Sequence, residues 1–274
     1  MAVPNDPLVD AESLDMLEAS LRKTMLSASG PELDAALTEL GWAEMLSDAP
    51  DLAIPLVFRL LGETGSHASV LVDVVLHATG NTIGDTVELP IPYTGNGWVV
   101  WDRISAESAE PTMGGLPLRR EDDGYPIRVT EARRAVSWWL IGSARAMLAL
   151  ARQHALDRVQ FGKPIASFQA VRHRLAETLV AIEGAEATLT LPSADNPDLL
   201  ALLAKAAAGK AALTAAKNCQ QVLGGIGFTD EHELHRHVKR ALVLDGLLGS
   251  SRELTKKAGA GLRARGSAPR LAQL

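Results

Sequence analysis

The sequence predicts a mostly α protein in which one short β region separates two helical blocks. Three observations carry that reading. Apolar residues recur every three to four positions over most of the chain, turn-forming residues crowd into a single stretch, and the later helical segments are separated by short breaks. The expected organisation is an N-terminal helical region over residues 1–79, a β region over 80–129, a C-terminal antiparallel four-helix bundle over 130–258, and a flexible tail over 259–274.

In the N-terminal region, Leu8 to Leu26, Pro31 to Leu46 and Leu52 to His77 give three or four helices, with Pro31 placed in a first turn, where its missing N–H costs nothing. Seven of the 23 glycines and five of the 14 prolines then fall within the 47 residues from Gly80 to Pro126, a density no long helix survives. The same stretch holds strand-like runs at Thr86–Leu89 and Trp98–Trp101, with Ile127–Val129 just beyond it, and has room for about five short strands. From Thr130 onward the helical pattern returns. Val136, Trp139, Leu140, Ser143, Met147 and Leu150 mark one face of a first bundle helix, and Phe168, Val171, Leu175, Leu179, Ile182 and Leu189 one face of a second. A third runs from an expected N-cap at Asp198 to Val222, and a fourth from about Asp230 carries Leu234, Val238, Ala241 and Leu248. Breaks fall at Gly162–Pro164, at Pro192 to Pro197 and at Gly224–Gly227, and four helices of about 25 residues so joined form an antiparallel bundle.

Composition narrows the function classes. With 27 Lys+Arg against 33 Asp+Glu, the 274-residue chain carries a net charge of −6 and no basic block, so nucleic acid and anionic membrane are poor partners. No uninterrupted apolar run reaches a membrane-spanning length, since the best, Ala135 to Ala144, is closed by Arg145. The first ten residues lack a cationic start followed by an apolar stretch, and the single Cys219 permits no internal disulfide. A cytoplasmic protein is expected.

Four places could carry chemistry. Arg158-Val159-Gln160-Phe161-Gly162-Lys163-Pro164-Ile165, followed by Phe168-Gln169, sets an arginine, a glutamine and an aromatic ring at a helix–helix turn. That set could grip a phosphate and cover a flat ring, or be a plain bundle corner. Gln221-Val222-Leu223-Gly224-Gly225-Ile226-Gly227-Phe228 lets backbone N–H groups approach an anion, although a glycine-rich helix end is also an ordinary cap. Within Glu231 to His237, His232 and His235 are one helical turn apart, yet the run lacks the HExxH pattern and no metal is expected. Asp245 falls inside the apolar stripe of the fourth helix. There it either has a raised pKa suited to a general base or reaches water where Gly246 and Gly249 loosen the helix.

Taken together, the first two motifs resemble the C-terminal bundle of flavin-dependent acyl-CoA dehydrogenases, from Thr130 to about Lys257. The resemblance implies an FAD shared between subunits. Arg158 would contact the pyrophosphate with Gln160 and Phe161 beside it, Gln169 would approach the adenosine half, and Gln221, Gly224 and Gly225 would line the pyrophosphate. It also exposes departures. No T-E-x-x-x-G-S-D-like segment, which packs near flavin and substrate in that family, occurs between Gly80 and Pro126, so the β region reads as truncated. Of the family's two locations for the proton-abstracting carboxylate, one falls on Leu248 and the other on Ala132. The resemblance therefore implies the non-catalytic subunit of a heteromeric (α2β2) acyl-CoA dehydrogenase of the kind used in steroid side-chain β-oxidation. Such a subunit would contribute part of the FAD site to a catalytic partner that binds the acyl-CoA. The alternatives are an active homo-oligomer with a displaced base, Asp245 or Glu131, and a flavin-free helical scaffold.

Overall fold

A computed structural model describes residues 11–103, 113–191 and 196–268. Residues 8–10 of the first expected helix, 192–195 of the expected break and 269–274 of the tail lie outside the described residues. Helix dominates, as the periodicity requires. The N-terminal region holds α1 (Ala11–Ser27), α2 (Pro31–Glu39), α3 (Trp42–Asp48), α4 (Pro50–Thr64) and α5 (Val70–Thr79). Two expected helices are divided, because Gly41 at φ 80° separates α2 from α3 and Gly65 at φ 70° closes α4 before α5. Left-handed backbone at these points ends a helix at little cost only for glycine.

Among the described residues the β region is one antiparallel sheet, β1 (Ile91–Tyr93), β2 (Gly97–Trp101) and β3 (Leu118–Glu121), in that spatial order. Only the Trp98–Trp101 run becomes strand. Thr86–Leu89 leads into Pro90 and Pro92 with its first three residues exposed, whereas Ile127–Val129 ends as the N-cap of α6, the Val129 carbonyl accepting the Arg133 N–H at 2.8 Å.

The C-terminal block is α6 (Thr130–Asp157), a hairpin of β4 (Val159–Gln160) and β5 (Lys163–Pro164), then α7 (Gln169–Leu189), α8 (Pro197–Leu223), α9 (Leu234–Gly246) and α10 (Ser251–Arg265). Three expectations are corrected. The N-cap of α8 is Asn196, whose side chain accepts the Leu199 N–H at 3.1 Å, while Asp198 sits inside the first turn and takes the Thr130 hydroxyl. The fourth helix does not extend to Leu248; it stops at Gly246, and a capping box of Ser250 and Glu253 starts a fifth helix. The tail is helical as far as Arg265 rather than flexible from Gly259, because Leu254 and Ala258 of α10 bury against Leu202 and Ala206 of α8, and Gly266 closes the helix at φ 74°.

Helix α6 is the shared axis of the molecule, packing against α7, α8 and α9 on the bundle side and α4 and α5 on the other. Its crossing with α4 is a backbone contact: a Cβ on Gly142 would lie 2.0 Å from the Arg59 carbonyl oxygen, and one on Gly62 would lie 2.3 Å from that of Trp139. One hydrophobic core therefore runs from Leu21 to Leu248 through both helical blocks. The segment Pro197–Phe228 is long and apolar enough to cross a bilayer by length and composition, but 67% of its most apolar window is buried inside the fold, as in a core helix.

A buried basic cluster fastens the α4–α5 turn to α9. Arg240 donates through Nη1 to the carbonyls of Gly65 (2.5 Å) and Ser66 (2.7 Å) and through Nε to Gly114 (3.3 Å). Beside it, burial and then the charges of Arg240 and Arg236 push His67 and His237 down to about 4. An unfolded histidine binds its proton near pH 6.5, so between pH 6.5 and 4 the unfolded chain takes up protons that the folded chain refuses. Stability is expected to be full above that window, to fall as pH drops through it, and to level off with respect to these groups below pH 4. Urea midpoints measured across this range should show the loss, and His67→Gln/His237→Gln should flatten it.

Candidate functional site

The hairpin after α6 is built by its turn. Gln160 pairs with Lys163, leaving Phe161 (φ 53°) and Gly162 (φ 79°) as the two central residues of a turn with both φ positive. Such a turn matches the twist of the flanking strands, but it is strained for phenylalanine. Phe161 is 91% exposed and meets Phe168 edge to face, ring centroids 6.1 Å apart, with Lys163 Nζ 4.7 Å above the Phe168 ring. A large apolar ring held in solvent on a strained turn marks a surface built to be covered.

Topology brings the expected cofactor residues to one end of the bundle. Helices α6 and α8 both run antiparallel to α7, so the hairpin after α6, the start of α7 at Gln169 and the glycine turn after α8 share that end. Electrostatics agree, since His154 near the end of α6 is lowered by burial first and then by both His232 and Arg158. Arg158, Gln160, Phe161, Gln169, Gln221 and Gly225 are all exposed. The side chains of Arg158, Gln169 and Gln221 make no hydrogen bond within the described residues, whereas Gln160 turns onto the adjacent Val159 carbonyl at 2.7 Å. Gly224 (φ 66°) ends α8, and a Cβ on it or on Gly225 would meet nothing, so both present bare backbone to open space. Gly227 differs. Its Cβ would lie 2.7 Å from the Gln220 carbonyl oxygen, so its role is internal packing. Among the described residues no group of three or more His, Cys, Asp or Glu is placed to hold a metal. Cys219 is buried, with its thiol pushed up to about 12 by burial, and so is core.

The carboxylate candidates lie at the other end. The Arg133 Nε–H donates to the Leu248 carbonyl at 3.2 Å, which joins the start of α6 to the α9–α10 turn and brings the two counted base positions, Ala132 and Leu248, to one place. Both are buried and apolar. Leu248 sits at φ 61° and its N–H donates to the Pro92 carbonyl at 2.7 Å, while the Thr94 N–H donates to Gly246 at 2.9 Å. Tyr93 closes against Gly246, where a Cβ would come within 2.6 Å of its ring. The main chain of β1 and its turn thus backs the α9–α10 turn directly.

Asp245 faces inward, not onto water. It accepts the Ser251 N–H at 3.1 Å and the Ser251 hydroxyl at 3.4 Å, satisfying a donor in the first turn of α10. The glycine at position 209 makes room for it, because a Cβ there would fall 2.0 Å from Asp245 Oδ1. Lys205, wholly buried and lowered to about 8 by burial, donates to the carbonyls of Asp245 (3.0 Å) and Gly249 (3.4 Å). Sequence reasoning missed Lys205 and Gly209; a lysine in an alanine-rich core helix was the available signal. Glu131 is half-exposed and paired with Arg134 at 3.2 Å. Beside this end, between the starts of α6 and α8 and helix α10, runs a groove of about 860 Å³ lined among the described residues by one acid, Asp198.

A sheet of three short strands among the described residues and a five-helix C-terminal block define the class, and comparison with known proteins agrees. Residues 128–258 match the model of the acyl-CoA dehydrogenase C-terminal domain. The acyl-CoA dehydrogenase IpdE2 of Mycobacterium tuberculosis is 31% identical over 253 residues, covering 85% of this chain and 79% of that protein. FadE34 of the same organism is 36% identical over 199 residues, covering 64% of this chain and 28% of FadE34. The solved ChsE4–ChsE5 complex from Mycobacterium tuberculosis contains a chain of the same fold, with TM-score 0.66, 20% identity and coverage of 96% of this chain and 99% of that one. The chain belongs to the acyl-CoA dehydrogenase family, whose members depend on FAD.

Arg158, Gln169 and Gln221, whose side chains make no hydrogen bond within the described residues, and the bare glycine backbone would fit a phosphate bridge and its adenosine arm.

Proposed function

We propose that this chain is the non-catalytic subunit of an FAD-dependent acyl-CoA dehydrogenase complex. It contributes Arg158, Gln160, Phe161, Gln169, Gln221, Gly224 and Gly225 to the pyrophosphate and adenosine half of a flavin site completed by a catalytic partner in an α2β2 assembly. The observation that carries this reading is the separation of the two ends. Helix α6, at 28 residues, holds the cofactor residues roughly 40 Å from the positions where a base would stand. The two ends therefore belong to different composite sites, and at the second of them this chain offers alanine and leucine where proton abstraction needs a carboxylate.

FAD, when bound, supplies the hydride acceptor for α,β-dehydrogenation of the thioester. The residues of this chain do the rest of its share. Arg158 neutralises phosphate charge, the Gly224–Gly225 backbone donates to phosphate oxygens, and Phe161 keeps water from the joint. The proton-abstracting carboxylate and the acyl-CoA site belong to the partner. The Tcur3481–Tcur3483 steroid acyl-CoA dehydrogenase and the ChsE4–ChsE5 complex share this fold, which supports a paired-subunit assembly and a steroid side-chain thioester as substrate. The mildly acidic composition and the burial of the long apolar helix Pro197–Phe228 support a cytoplasmic complex.

The role of Asp245 separates this reading from that of an active homo-oligomer. Because its carboxylate caps α10, Asp245→Asn is expected to leave kcat of the co-purified complex within about twofold, as is Glu131→Gln, while the Asp245 variant lowers thermal stability by about 1 kcal/mol. A loss of kcat of a thousandfold or more in either variant would establish that residue as the base.

A further inference from the structure

The last two turns of α10 overhang the open groove at the start of α6. Ala258 is the last buried residue of this helix, and from Gly259 to Arg265 it continues with Leu262 half-buried and the other residues exposed. Gly259 and Gly261 make this the weakest stretch of the helix, since glycine in a helix interior loses the most backbone freedom. The groove beneath, of about 860 Å³, has the size of a small-molecule site. Val129, Leu199, Leu202, Ala258 and Leu262 give it an aliphatic lining. Among the described residues four cations line it, Arg128, Arg133, Lys257 and Arg265, against the one acid Asp198, in a chain whose net charge is −6. We propose that this groove binds an aliphatic carboxylate, a free long-chain acid whose carboxylate is held by Arg133 and Lys257 and whose chain lies against Leu262.

Three features select that ligand. The Arg133 side chain is fixed by its Nε–H bond to the Leu248 carbonyl and makes no other hydrogen bond within the described residues, so Nη1 and Nη2 are left for an acceptor. Asp198 attracts this guanidinium but also takes the Thr130 hydroxyl, and one acid among four cations leaves the groove a surplus of positive charge. Lys257 precedes Ala258, which packs on Leu202 and Ala206, so its ammonium is carried beside the aliphatic lining rather than away from it. Finally, no aromatic side chain lines the groove among the described residues, so it offers no platform for a stacked base, whereas an alkyl chain needs only apolar surface. The inference goes beyond the proposed cofactor role: the groove lies at the end of α6 remote from Arg158, and its occupancy is read without reference to flavin.

Amide hydrogen exchange of the co-purified complex tests this, read on peptides covering residues 259–265 of this chain, with dodecanoate as the probe. Dodecanoate should slow exchange there saturably, by about threefold or more, because a ligand under the overhang holds its weak turns in place. The affinity read from that titration should fall by about tenfold or more in Lys257→Glu and in Leu262→Gln. Arg263→Glu makes the same charge change as Lys257→Glu on the same helix but does not line the groove, and it should leave affinity within about twofold. Dodecanol, which has the same chain without the charge, should bind at least about tenfold more weakly than dodecanoate. Absence of protection up to about 1 mM dodecanoate would overturn the proposal. So would equal protection by dodecanol, an equal loss in Arg263→Glu and Lys257→Glu, or the same protection from coenzyme A alone.

Discussion

Replacing Arg158 with alanine is expected to weaken FAD retention by the assembled complex by about ten- to a hundredfold. An arginine–phosphate hydrogen bond contributes about 1.5–3 kcal/mol, and each 1.4 kcal/mol is a decade of affinity. The residue is exposed and its side chain makes no hydrogen bond within the described residues, so its removal leaves the fold intact. Arg158→Lys should recover only part of the loss, because an ammonium lacks the planar fork that holds two phosphate oxygens. Flavin fluorescence released on dilution or salt titration measures the effect, and the thermal midpoint of each variant saturated with FAD should match the wild type. Retention equal to that of the wild type would remove Arg158 from the cofactor site.

Gly142→Ala is expected to cost about 3 kcal/mol or more of stability. The new methyl group would fall 2.0 Å from a main-chain carbonyl on α4, and neither helix can yield, since α6 is packed on both sides. Overpacking a core commonly costs about 1–3 kcal/mol, and here the clashing atom is backbone rather than the end of a mobile side chain. Gly259→Ala is the matched control: it also sits inside a helix, but its Cβ would meet nothing, and it should stabilise by about 0.5–1 kcal/mol. Denaturant titration of both variants makes the comparison. A neutral Gly142→Ala would show that α4 and α6 are not in backbone contact.

Much of this architecture was legible because burial follows periodicity. Met147 and Leu150 could be placed on a face of α6 from spacing alone, and the breaker-rich stretch around Gly95 and Pro117 could not be helix. What escaped the sequence was set by contacts distant along the chain. Thr86–Leu89 has the composition of a strand, but no described strand lies beside it, whereas Ile91–Tyr93, with a proline at its centre, becomes an edge strand through its pairing with β2 and its bond to the α9–α10 turn. The end of the bundle was misread because Leu248 and Gly249 adopt positive φ within an otherwise helical pattern, and leucine gives no warning of that. In the candidate site, the glycines and Arg158 were visible as a motif. The inward turn of Asp245 was not, because it depends on Gly209 and Lys205, some forty residues earlier, making room for its side chain and holding its carbonyl.

Division of labour between two gene products is tested most directly by purifying this chain alone and together with a full-length acyl-CoA dehydrogenase co-expressed as its partner. Flavin absorbance and acyl-CoA oxidation with an artificial electron acceptor are then recorded for each preparation. The expected result is a colourless, inactive chain on its own and a yellow, active complex carrying one flavin for each pair of unlike chains. A yellow preparation of this chain alone, with one flavin per chain and turnover of an acyl-CoA, would contradict it.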